Sequence, residues 1–204
     1  MTPMRGWPFW FRFLLAALLG GVAAFGLAPF GYWAMTLIAL ILIAPLFLSC
    51  ETRARAAWLG WAFATGYFAH GLSWIIEPFQ VDAERHAWMA PFALVFMAGG
   101  LALFWAAAFA VSWRSKGPAW RRGAALALAL SVAEFGRGYL LTGFPWAGLA
   151  QIWVDTPVAQ LLSLAGPFGV GALTLAAMLP LWAALADPHP LRHAVGPAVF
   201  TLVC

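Results

Sequence analysis

The sequence is a series of apolar runs, each long enough to cross a lipid bilayer, with nearly all of its cations confined to the gaps between them. A hydrocarbon core of about 30 Å takes roughly 17 to 25 mostly apolar residues per helix. On that ruler the runs at 11–28, 32–50, 57–76, 87–113, 123–141 and 158–186 are six spans, and 194–204 starts a seventh. The expected fold is all-α, a polytopic membrane helix bundle that occupies the whole of residues 1–204. Composition excludes the alternatives: 64% of the residues are hydrophobic and 9% charged, with a mean hydropathy of +0.87. Soluble domains run near half apolar and a quarter charged, and a chain this apolar would expose large greasy patches to water. Disorder and a collagen-like repeat are excluded on the same grounds. The first run, with Arg5 before it and Arg12 at its start, has the outline of a signal peptide. Further spans follow it at once, which favours an uncleaved first helix. The last run has 11 residues, too short to cross, so the expectation is a chain truncated within that span.

Orientation follows from the cations, because Lys and Arg in short loops are retained in the cytoplasm. With the N-terminus cytoplasmic, Arg5, Arg12, Arg53, Arg55, Arg114, Lys116, Arg121, Arg122 and Arg192 fall on that side, nine of the eleven. Arg85 stays outside among Glu77, Asp82 and Glu84, and Arg137 lies within a span. Loops 51–56 and 114–122 are then cytoplasmic, while 77–86 and 142–157 face outward. Trp7, Trp10, Trp33, Trp58, Trp74, Trp88, Trp113, Trp120 and Trp146 lie at or near the span ends, where indoles settle at headgroup level. The net charge of +4 is thus matched to anionic headgroups, and no nucleic-acid partner is expected. Cys50 and Cys204 allow at most one disulfide, and no CxxC or Cys/His cluster offers a metal site. Without asparagine there is no N-glycosylation acceptor. Gly20, Gly21, Gly66, Gly99, Gly100, Gly166, Gly169 and Gly171 punctuate the spans and predict close helix packing. The glycines of 166–171 follow no strand and do not form a phosphate loop.

An ionisable side chain inside a span costs a few kcal/mol on insertion scales, so each asks for a reason. The fifth span holds two, Glu134 and Arg137, three residues apart on one helical face with the acid first. Arg137 lies roughly 9 Å and Glu134 roughly 14 Å below the outer end near Gly143. Arginine snorkels that far, but glutamate does not. Glu134 is therefore paired, protonated or facing a wet cavity. An internal ion pair, a site for a phosphate or acyl-ester headgroup, and a proton relay all remain open. In the third span His70 and Ser73 come out at nearly the depth of Arg137, and His70 reads either as a hydrogen-bonded packing residue or as a ligand. Their shared depth suggests one cavity open to the outer leaflet. Gly143 and Pro145 should break the fifth helix, leaving Trp146 at headgroup level, as part of the aromatic belt or as the wall of a lipid site. Lipid-site candidates are thus Arg137, Trp146, Glu134, His70, Ser73, Gly143 and Pro145.

The run EFGRGYLLTGFPW, residues 134–146, resembles the E-(W/F)-x-R-G…T-G-F-P-W segment of bacterial apolipoprotein N-acyltransferase. GLAPFGYW at 26–33, GWAFATGYFAHGLSWI at 60–75 and GPFGVGAL at 166–173 match in the family's order, so the likeness covers nearly the whole chain. Gly136, where a bulky residue is usual, departs from the pattern. The resemblance implies an inner-membrane enzyme that moves an acyl chain from a membrane phospholipid to the α-amino group of the S-diacylglyceryl cysteine of an apolipoprotein. It also implies eight spans and, between the seventh and eighth, a periplasmic nitrilase-like domain with a Glu-Lys-Cys triad, whose cysteine carries the acyl group as a thioester. No cofactor is implied. The nitrilase-like domain and last span are expected to be absent here. Lys116, the single lysine, lies in a basic loop, and Cys50 and Cys204 lie far from any base, so no catalytic residue is assigned and the chain alone is expected to be inactive. Competing readings are a small transporter or channel subunit and a non-catalytic membrane interaction protein. The sequence has no internal repeat of the transporter kind, and its polar cluster sits toward one face, which favours a lipid site.

Overall fold

A computed structural model of the chain describes residues 6–140 and 143–186. Every regular element among the described residues is helical. They are α1 (Phe9–Ala24), α2 (Trp33–Leu48), α3 (Arg53–Gly71), a short α4 (Ala83–His86), α5 (Ala90–Ser112), α6 (Ala119–Tyr139) and α7 (Leu162–Ala186). Stretches of 3-10 helix at Ser73–Gln80, Ala87–Met89, Leu149–Trp153 and Pro157–Leu161 join them. Two stretches, Ala83–Ser112 and Pro157–Trp182, are long and apolar enough to cross a membrane.

The helices follow the apolar runs with shifted ends. α1 and α2 have 16 residues each, about 24 Å of helix, and are shorter than the runs 11–28 and 32–50. The residues between them leave the helix because Pro29 has no N–H to continue it, and Tyr32 N–H closes the turn on the Phe25 carbonyl at 2.9 Å. The third run leaves α geometry after Gly71, so Ser73 opens a 3-10 segment instead of extending α3. The expected start of a seventh span at 194–204 lies outside the described residues, as do Arg5, Arg192 and Cys204.

α3 is central, with α1 and α5 packed against it; α6 lies against α5 and α7, and α2 against α1 and α7. Small residues set the closest approach. A Cβ added at Gly20 would collide with the Phe63 carbonyl, and one at Gly66 with the Ala17 carbonyl, so the α1 and α3 backbones touch. Gly100 instead faces open space, and Gly166, at φ 65° and ψ 175°, breaks α7 just before Pro167. Close packing therefore accounts for Gly20 and Gly66 but not for Gly100 or Gly166. Phe63, Tyr67, Phe68 and Trp105 fill the interior, while Leu14, Leu18, Phe96, Leu128 and Leu164 point outward. One end of the bundle gathers the α1–α2 turn, the end of α3 and residues 143–161. The other gathers residues 49–52 and the α5–α6 turn.

Candidate functional site

Glu134 and Arg137 form a buried, two-pronged ion pair on the last turns of α6. Arg137 Nε donates to Glu134 Oε1 at 2.9 Å and Nη2 to Oε2 at 2.8 Å, with the side chains 1% and 9% exposed. This fork-to-fork geometry is the strongest form of the pair. Of the three states left open for Glu134, the paired one is observed. A third bond comes from α5, whose Trp105 Nε1 donates to Glu134 Oε1 at 2.8 Å. Arg137 also lies over the Phe68 ring of α3, 5.0 Å from its centroid, so four groups from three helices meet at one charge centre.

The remaining arm of Arg137 reaches past the helix end. Its Nη1 donates to the carbonyls of Phe144 and, at 2.8 Å, Trp146. Phe144 N–H in turn donates to the Arg137 carbonyl at 3.0 Å. Gly143 permits this return because its φ is 74°, in the left-handed region that side chains disfavour. α6 accordingly stops at Tyr139, ahead of Gly143 and Pro145. The guanidinium is a bracket that holds the shape of the chain from 143 to 146.

That bracket places Trp146 with 56% of its surface exposed, its ring 5.9 Å from Trp74 at an interplanar angle of 68°. The two indoles flank a cleft of about 510 Å³ whose walls include Trp33, Gln151, Asp155 and Thr156. On the inner side of the same segment, Glu134, Pro145 and Gln151 line a cavity of about 90 Å³ together with Pro167 and Phe168 of α7. A large aromatic-walled cleft and a small polar-ended cavity thus lie on either side of residues 145–151.

The structure brings Glu134, Arg137, Gly143, Pro145 and Trp146 together. Ser73 is exposed beside Trp74. His70 is directed elsewhere: its Nδ1 lies 2.8 Å from the Gly21 carbonyl, and its ring meets Phe25 and Phe30 edge-on at 4.4 and 5.8 Å. It ties α3 to the α1–α2 turn and lines neither of the two cavities described above. Trp105 and Phe68 are the site residues that the sequence reading passed over. The signal for Trp105 was an indole in mid-span, far from the headgroup belt, whose N–H needs a partner.

The Apolipoprotein N-acyltransferase N-terminal domain profile matches residues 19–186. The chain belongs to the apolipoprotein N-acyltransferase family. It is 45% identical over 122 residues to the apolipoprotein N-acyltransferase of Caulobacter vibrioides, covering 58% of this chain and 23% of that protein. With that of Rhodopseudomonas palustris it shares 36% identity over 176 residues, 82% of this chain and 32% of the relative. With that of Ralstonia nicotianae it shares 34% over 171 residues, 81% and 33%. The chain spans a quarter to a third of the length of these N-acyltransferases, and the bracketed segment 134–146 falls inside the matched domain.

Proposed function

We propose that this chain is the lipid-facing membrane part of an apolipoprotein N-acyltransferase, which takes an acyl chain from a phospholipid and delivers it to the N-terminal diacylglyceryl cysteine of an apolipoprotein. The observation that carries the reading is the Arg137 bracket, which spends a buried ion pair on fixing two carbonyls at 144 and 146 and so sets Trp146 at the mouth of the cleft. Its aromatic walls suit acyl chains and glycerol esters, while Gln151, Asp155 and Thr156 offer polar contacts to a headgroup or a peptide amine. In this proposal Arg137 and Glu134 shape the site from beneath, Trp146 touches lipid, and Gly143 and Pro145 form the turn. Ser73 and His70 precede the wall residues Trp74 and Gly71 in sequence, Ser73 exposed beside the cleft and His70 holding that wall to the α1–α2 turn.

The membrane setting in the proposal has six spans with the N-terminus cytoplasmic. Support comes from the outward-facing large apolar side chains, from eight exposed tryptophans of the predicted belt (Trp7, Trp10, Trp33, Trp58, Trp74, Trp88, Trp120 and Trp146), and from the cation asymmetry. On this topology the cleft opens to the periplasmic leaflet of a bacterial inner membrane. Acyl transfer needs an activated nucleophile, and Cys50 and Lys116 both lie at the end of the bundle away from Trp146. These 204 residues by themselves are accordingly proposed to bind lipid without transferring acyl groups.

The test is a chimera in which this chain replaces the matching part of the Caulobacter vibrioides relative. The chimera should N-acylate a diacylglyceryl peptide from phospholipid, and the isolated chain should not. Arg137→Ala in the chimera should lower the rate sharply while Arg85→Ala leaves it unchanged. An Arg137→Ala chimera with full activity would remove the bracket from the function. Turnover by the isolated chain would require another nucleophile.

A further inference from the structure

At the end of the bundle away from Trp146, the α5–α6 turn frames a second cleft, of about 720 Å³, lined by Glu51, Trp113, Arg114, Lys116 and Arg122 among others. Three cations therefore face one carboxylate. That carboxylate is committed elsewhere: Glu51 accepts from Arg12 at 3.2 Å and also pairs with Arg55. Arg114 and Lys116 have no ion pair among the described residues. Arg122 is held at the rim, its guanidinium 5.6 Å from the Phe47 centroid. Trp113 is anchored in the wall by its Nε1 donating to the Cys50 carbonyl at 3.1 Å. The cleft has the composition of an anion site, with positive charge in excess and an aromatic flank.

From this basic mouth an apolar groove of about 620 Å³ runs along the seam between α5 and α6. Ser115 lines both, so the two adjoin. The groove floor is made of alanines, Ala108, Ala129 and Ala133, between walls that include Phe104, Leu128 and Val132. It reaches from Ala125 on α6 to Leu140 just past its end, about 21 Å of helix to Tyr139, more than one leaflet of a hydrocarbon core about 30 Å thick. A basic cleft beside an apolar trough one acyl chain long has the polarity pattern of one particular molecule class.

We infer that this seam is a resident site for an anionic phospholipid, its phosphate at Arg114 and Lys116 and one acyl chain lying between α5 and α6. Basic pockets between spans commonly take such headgroups. The site is at the opposite end of the bundle from the Trp146 cleft and does not depend on acyl transfer, so the lipid here is structural and is not consumed. On the proposed topology it is drawn from the cytoplasmic leaflet.

Native mass spectrometry of the 204-residue chain, released from micelles holding equal phosphatidylglycerol and phosphatidylethanolamine, tests this directly. Retained adducts should be enriched in phosphatidylglycerol. Arg114→Gln and Lys116→Gln should each lower that enrichment roughly fivefold. Leu128→Trp and Val132→Trp, which fill the groove, should weaken retention of long-chain phosphatidylglycerol but spare a six-carbon analogue. Arg114→Lys should retain binding, and helical circular dichroism should be unchanged in every variant. Equal retention of the two lipids, indifference to the charge variants, or displacement by inorganic phosphate would overturn the proposal. So would loss in the charge variants with no loss in both groove variants, which would leave only a basic surface. In the chimera, Lys116→Gln should leave N-acylation intact, so the two readings fail separately.

Discussion

Two buried arginines, one toward each end of the bundle, do the same job with different partners. Arg12 donates through Nη1 to the Ser49 carbonyl and hydroxyl, both at 3.0 Å, tying α1 to the end of α2, and through Nη2 to Glu51, while its Nε is buried without a partner. Arg137 donates to the carbonyls of Phe144 and Trp146 and completes its bonding with Glu134. In each case a guanidinium supplies donors to carbonyls of a chain that has just left its helix. The carboxylates differ. Glu51 is 36% exposed and shared with Arg55, whereas Glu134 is enclosed with Trp105 as a further donor. A pair at the wet end can exchange its partners for water. The pair beneath Trp146 cannot, and its geometry is correspondingly fixed.

The largest expected effect is at the enclosed pair. Glu134→Ala leaves Arg137 buried without its counter-charge and should cost about 3–5 kcal/mol, read as a fall in unfolding midpoint in detergent. A loss no greater than that of Glu51→Ala would break the comparison. Trp105→Phe keeps a six-membered aromatic ring but removes the pyrrole part with its N–H, so about 1.5–3 kcal/mol for the lost hydrogen bond to a charged acceptor is the minimum expected loss, and the cavity left at this buried site adds to it. Glu51→Ala, at a solvated pair, should cost about 0–1 kcal/mol by the same denaturation curve, and this loss should shrink further in high salt.

The smallest effect is in pH. The hydrogen bond from Arg55 chiefly, with Arg12 adding to it, holds the Glu51 carboxyl below its ordinary value of 4.5. A carboxyl lowered in the folded state contributes stability that is complete above 4.5 and is lost as pH falls through the folded value. The difference in stability between the wild-type chain and Glu51→Gln should therefore be constant from pH 7 to 5 and narrow below 4.5. A difference that widens on acidification would reverse the assignment.

Much of this was legible in advance. The order of the helices followed from apolar run lengths, and the Glu134–Arg137 pair from its spacing, because both depend on position along one helix. What lies around the helix axis was hidden. His70 and Arg137 share a depth, yet His70 turns to α1 while Arg137 lies against Phe68, two residues earlier on α3. A helix that is apolar on every side has no polar stripe to mark its inward face, so counting gives height and leaves azimuth unknown. The same blindness hid Trp105, which comes from another helix, and Arg12, which the sequence counts among the cytoplasmic cations and the structure buries.

The break at Gly166 has an electrical consequence. A helix interrupted there begins again at Pro167, and a new beginning exposes the first N–H groups of a fresh dipole, equivalent to roughly half a positive charge. Pro167 and Phe168, the first residues after the break, line the same small cavity as Glu134. The enclosed carboxylate therefore sits in a field that has two sources, the arginine on its own helix and the restarted helix across the cavity. An uninterrupted α7 would carry its positive end a full turn away and leave Glu134 with the arginine alone.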